Sequence, residues 1–188
     1  MTTLLFVGIN RSSSYSLGNA GQKGALVTEE ATKISRVHVP AGTDRFQRQR
    51  KVFGSRVIDF KVSALDTNGG LCIFEIIDAL KGGVARHLHH EQEEWFYVLE
   101  SEYIIEIGDE RYKLGPGDSV LAPRKVPHVW AHVGEGTGKL IIAFQPAGKM
   151  EALFGELAQL GSSSQRDDVQ RVFSMHEMEL TGPPLMIE

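Results

Sequence analysis

From Arg56 onward the chain reads as one short strand after another, and this restricts it to an all-β architecture. Residues 57–62 alternate in part, residues 71–77 are mostly apolar, and residues 95–99 and 103–107 are rich in aromatic and β-branched side chains. Residues 111–114, 118–122, 129–133 and 139–145 continue the series. Gly, Pro, Asn and Asp punctuate the runs, at 66–70, 81–83, 108–110, 115–117, 123 and 134–138. Short strands at this spacing predict a sandwich or barrel, of which the jelly roll is one form. Helical spacing comes only afterwards. Leu153, Phe154, Leu157 and Leu160 lie on one face over 150–160, and a second candidate over 167–178 is stopped by Gly182-Pro183-Pro184.

The chemistry gathers in residues 86–101, RHLHHEQEEWFYVLES. His87 and His89 are two apart, so in a strand both imidazoles project to one face. His90 shares the parity of Leu88 and points away. If the chain turns over 90–93 and returns antiparallel, Glu94 reaches the same point, and Glu93 fits a spacing one residue shorter. Two imidazoles and a carboxylate suit one divalent transition metal, whether Fe, Mn, Ni, Cu or Zn. A fourth ligand candidate, His128, follows a turn, a strand and a second turn within 115–128. His38 and His176 belong to no such constellation and read as ordinary histidines.

These two segments resemble the two motifs of the cupins: His-x-His followed by Glu and a strand in the first, and Gly, Pro-x-Gly and His around a tight turn in the second. The resemblance implies a double-stranded β-helix, the cupin jelly-roll barrel, followed by short C-terminal helices. It implies His87, His89, Glu94 and His128 as metal ligands, and its register through Val98-Leu99 favours Glu94 over Glu93. Thirteen residues separate Ser101 from Gly115, a spacing like that of microbial single-domain cupins. Three positions depart from the motifs: Ser101 and Lys125 stand where Gly is usual, and His132 where Asn is frequent.

Residues 145–148, Gln-Pro-Ala-Gly, with Phe154 in the helix that follows, are similar to the segment after the barrel in quercetin-dioxygenase-like cupins. Residues 182–185 resemble that group's closing segment. This implies a metal-dependent oxygenase acting on a flavonol-like or other enolic aromatic, with dioxygen as co-substrate. Glu94 would then be catalytic as a proton acceptor as well as a ligand. The alternatives are a non-oxidative cupin enzyme (isomerase, lyase or decarboxylase) and a non-catalytic small-molecule-binding cupin.

Strand alternation supplies the pocket walls. If Glu94 points inward, so do Phe96 and Val98. If His128 does, so do Trp130 and His132, with Tyr103, Ile105 and Ile107 on a neighbouring strand. Trp95, Tyr97 and Leu99 then face outward, and covering them calls for a homodimer.

The chain of 188 residues has 41% hydrophobic and 23% charged residues, which suits one domain with a core. The organisation expected is an N-terminal arm over 1–35, a barrel over 36–148 and a helical segment over 149–188 packed on it. The Ser/Gly-rich stretch 11–24 belongs to the arm, with a short helix over 27–34, and residues 36–40 read as a short strand. The net charge of −4 argues against nucleic acid as a partner. The cationic group Arg45, Arg48, Arg50 and Lys51 reads as a solvated loop or edge, or as a rim for an anionic ligand. No apolar run has the length of a membrane span, and residues 4–7 are too few for a signal-peptide core, so a cytoplasmic location is expected. Cys72 lies in an apolar run and reads as a buried, inert thiol.

Overall fold

The computed structural model describes residues 36–160 and 166–187. The N-terminal arm and the short helix expected over 27–34 lie outside them. The strands are β1 (Arg50–Val52), β2 (Arg56–Val62), β3 (Cys72–Asp78), β4 (Gly82–Gly83), β5 (Ala85–His89), β6 (Glu93–Glu100), β7 (Tyr103–Ile107), β8 (Glu110–Leu114), β9 (Ser119–Ala122), β10 (His128–His132), β11 (Gly138–Gln145) and β12 (Met178–Pro184). Helices α1 (Met150–Leu157) and α2 (Arg166–Met175) lie between β11 and β12. One sheet runs β1-β2-β3-β11-β6-β9 and the other β12-β5-β10-β7-β8, with β4 also paired to β10.

The alternation in the sequence decides which side chains fill the space between the sheets. Cys72, Phe74, Ile76 and Asp78 of β3 face in, as do Leu140, Ile142 and Phe144 of β11 and Phe96 and Val98 of β6. Phe60, Phe74, Phe144 and Phe154 form an edge-on aromatic chain, with centroids 4.5 Å apart from Phe60 to Phe74 and 4.9 Å from Phe74 to Phe154. Each such ring contributes about 2 kcal/mol by burial. Helix α1 adds Met150, Leu153 and Leu157 to this core, and α2 adds Val172 and Phe173. Cys72 is buried and free.

Three expectations are corrected. Residues 36–40 form no strand: Pro40 opens a turn in which its carbonyl accepts from the Thr43 amide and hydroxyl. Residues 90–93 do not close a hairpin. They carry the chain from β5 in one sheet to β6 in the other. The C-terminal segment is not wholly helical either. Helix α2 ends at Met175, Glu177 takes a positive φ of 63°, and β12 then pairs antiparallel with β5. Pro183 and Pro184 are tolerated because β12 is an edge strand with a register shift after Leu180.

The two glycine-type positions of the motifs are left-handed here despite their side chains. Ser101 has φ 69° and Lys125 φ 65°. Ser101 recovers part of the cost, because its Oγ donates to the Glu135 carbonyl at 3.0 Å and lies 2.9 Å from His132 Nε2. Among the described residues no side-chain bond offsets the cost at Lys125, whose amide donates to the His89 carbonyl at 2.7 Å. Lys125→Gly is expected to raise stability by about 1 kcal/mol. Ser101→Gly should gain less, because it loses the hydroxyl's bonds. Urea unfolding of the two variants measures both effects, and equal gains would refute this account.

Candidate metal centre

Four side chains from two sheets meet inside the barrel. β5 presents His87 and His89 on one face, as their spacing requires, and both are buried. β10 lies beside β5 with His128 directly opposite His87. Glu94 arrives from β6 across the interior. One ligating atom from each of the four lies within 4.8 Å of the others. Glu93, by contrast, is turned outward and pairs with Arg124. His90 is half exposed, 3.7 Å from Glu179.

The hydrogen bonds fix which nitrogens face inward. His87 Nδ1 is 2.8 Å from the Ala85 carbonyl, and His128 Nδ1 is 2.9 Å from the Val126 carbonyl. A carbonyl only accepts, so in each ring Nδ1 donates its proton; His128 Nε2 is also within hydrogen-bonding distance of Glu94 Oε2, 2.8 Å, which calls for a second proton or a cation between them. The Nε2 atoms of His87, His128 and His89 converge on Glu94 Oε2 at 3.8, 2.8 and 3.0 Å. Neither nitrogen of His89 has a hydrogen bond. Imidazole nitrogens gathered around one carboxylate oxygen, with His89 left without a hydrogen bond, call for positive charge among them, as protons or as a cation. A divalent cation meets that need, so the donor set fits a metal held by His87, His89, Glu94 and His128.

A cavity of about 40 Å³ is bordered by His87, His89 and Glu94. Its walls include Arg56, Trp130, Phe144, Met150, Phe154 and Phe173. Phe173 of α2 lies edge-on to His87, with ring centroids 5.7 Å apart. Of the wall residues expected from alternation, Trp130 lines this cavity. Phe96, Val98, Tyr103 and Ile105 are buried in the core but do not border it, and Ile107 is only partly buried against that core. His132 is fully buried, four residues along β10 from His128, and its ring is engaged by Ser101 Oγ and, at 3.2 Å, by the Leu80 carbonyl.

Arg56 is the basic side chain on the cavity wall that sequence reasoning missed. Its Nε donates to Asp78 Oδ1 at 2.6 Å, and its guanidinium lies 4.5 Å from the centre of the Trp130 ring. Asp78 Oδ2 in turn accepts from the Tyr103 hydroxyl at 3.1 Å. The available signal was parity: on β2, Arg56 shares the inward face of Ile58 and Phe60.

The cupin domain family matches residues 76–144, the segment that carries all four of these side chains. The two antiparallel sheets are consistent with a cupin β-barrel. An uncharacterized protein of Methanocaldococcus jannaschii, MJ1618, is 28% identical over 60 residues, 32% of this chain and 48% of that protein. The match thus spans about half the length of that curated relative. Among solved structures, an RmlC-like cupin from Shewanella frigidimarina has 23% identity and TM-score 0.47, covering 55% of this chain and 87% of its own. KdgF from Halomonas sp. has 21% identity and TM-score 0.45, covering 53% and 86%. The polyketide cyclase RemF from Streptomyces resistomycificus has 20% identity and TM-score 0.46, covering 59% and 78%.

Burial pushes His87 down from 6.5 to about 4, while the Glu94 carboxylate acts in the opposite sense. Burial raises Glu94, but the imidazoles, His128 foremost, outweigh it and hold the carboxyl well below 4.5. Between pH 6.5 and 4 the unfolded chain takes up a proton at His87 that the folded chain refuses, so stability falls as pH drops through that window. Glu94 acts in the same sense at lower pH. Metal-free protein is expected to show a falling urea midpoint from pH 7 to pH 4.5, and the slope should flatten in His87→Gln. An unchanged slope in that variant would remove His87 as its source.

Proposed function

We propose that this protein is a metal-dependent cupin oxygenase acting on a small enolic or hydroxylated substrate that binds through oxygen. The observation that carries the reading is the convergence of three imidazole nitrogens on one carboxylate oxygen beside a small apolar cavity. A divalent ion held there would supply Lewis acidity and, if redox-active, electrons for reaction with dioxygen. The walls around that point are mainly apolar. Glu94, ionised at neutral pH, is placed to accept a substrate hydroxyl proton at its carboxylate. Arg56 puts a fixed guanidinium on the wall, where it favours an anionic substrate oxygen.

The cavity narrows the substrate class. A volume of 40 Å³ has room for roughly three waters, whereas drug-sized ligands occupy about 300 Å³ or more. A compact enolic compound fits this better than a flavonol. A second reading, a non-oxidative enzyme, is supported by Glu94 and Arg56 facing one cavity, a pairing that serves proton transfer without dioxygen.

Elemental analysis of purified protein, followed by oxygen-electrode assays with Fe, Mn, Ni and Cu, tests the reading. Aerobic turnover is expected to fall at least about 100-fold in Glu94→Gln, and His89→Ala is expected to lose the metal. Turnover that persists without oxygen selects the non-oxidative reading. No metal in the protein and no uptake on reconstitution refutes both.

A homodimer through the outer face of β6 and β9 completes the proposal. Trp95 and Leu121 are opposite each other in register, and with Leu99 they leave 36%, 51% and 39% of their surfaces exposed. We place the protein in the cytoplasm; among the described residues no helix is long and apolar enough to cross a membrane. Light scattering is expected to give twice the chain mass, and Trp95→Arg is expected to give a monomer.

A further inference from the structure

The metal-side cavity is walled mainly by apolar side chains. Outside it lies a surface groove of about 350 Å³ between α2, β12 and the start of β5. Ala85, Leu180, Pro183 and Pro184 line the groove, with Arg166 at its edge. Three residues border both spaces: Phe53, Val84 and Phe173. They are the side chains that the two spaces share. Phe173 is nearly buried and stands edge-on to His87, while Phe53 is 41% exposed at the outer side.

Phe53 occupies an unfavourable position for its type. It heads the turn between β1 and β2 and has φ 53°, followed by Gly54 at φ 84°. The left-handed region suits Gly or Asn, and a bulky aromatic there is strained. The turn itself would be better served by Asn. Strain of this kind is maintained where the side chain has a task that the backbone preference opposes.

We infer that Phe53 and Phe173 are the selectivity gate of the cavity, passing small solutes from the groove and holding back larger ones. They are specificity-determining residues for the reaction proposed above, and their catalytic meaning rests on that reading. The gate itself is a property of the metal-free protein and is tested there.

The chain has two tryptophans, and Trp130 lines the inner cavity while Trp95 is on the outer face. In a Trp95→Phe background, Trp130 fluorescence therefore reports access to the cavity. Acrylamide and the larger quencher nicotinamide serve as probes. With both phenylalanines in place, quenching is expected to be weak and to favour the smaller probe. Phe53→Asn should raise the quenching constant about threefold or more, lessen the discrimination by size, and leave thermal stability equal or higher. Phe173→Leu, which keeps an apolar side chain on α2, is expected to act in the same direction. Leu65→Asn, at a residue 82% exposed and outside the groove, should change nothing. Unchanged quenching in both phenylalanine variants, or an equal rise in Leu65→Asn, overturns the gate. Neither result bears on whether His87, His89, Glu94 and His128 hold a metal, which elemental analysis decides separately.

Discussion

The arrangement depends on one electrostatic demand. Three imidazole nitrogens, two of them with their protons committed to backbone carbonyls, surround a buried carboxylate oxygen. Such a group is stable only with positive charge at its centre. The histidines belong to one sheet and the glutamate to the other, so a cation held by all four would also tie the two sheets together. A cation bound there would couple its binding to barrel stability, since a ligand that binds only the folded chain stabilises it.

The remainder of the fold holds these four residues in register. Gly83 has the clearest role. A Cβ there would lie 1.7 Å from the Trp130 carbonyl oxygen, so only glycine allows β4 to lie against β10. β10 thereby acquires a neighbour beyond β5 and β7, and its whole length is buried. From the same strand come His128, on the ligand set, and Trp130, on the cavity wall. Arg56 stacks on that indole and is anchored by Asp78, so the cationic wall of the cavity is built from the barrel's own core.

Much of this was legible in the sequence because it depends on parity. A residue's face along a strand is fixed by counting, so the inward residues of β6 and β10, Tyr103 and Ile105 of β7, and the pairing of His87 with His89 followed from the chain alone. Sheet membership did not follow. Whether residues 90–93 close a hairpin or cross to the other sheet depends on which distant strand captures β6, and that partner is β11, more than forty residues downstream of the turn. β12 was hidden for a different reason. Gly182, Pro183 and Pro184 are strand breakers by local chemistry, and only the vacant edge of β5 makes them usable. Arg56 was obscured by its charge, since a lone arginine gives no hint that Asp78 and Trp130 wait inside. The gate at Phe53 was invisible because its evidence is a backbone angle, not a residue type.

The pairing of β12 with β5 also bears on the order in which the protein is made. The strand that carries two of the ligands keeps one bare edge until a segment almost ninety residues further on has been synthesised, since Met178 lies opposite His89. During translation, then, residues from both motifs exist long before the strand beneath two of them is flanked on both sides. An ion captured early would be held by a half-finished wall, and firm retention must await the last strand to dock.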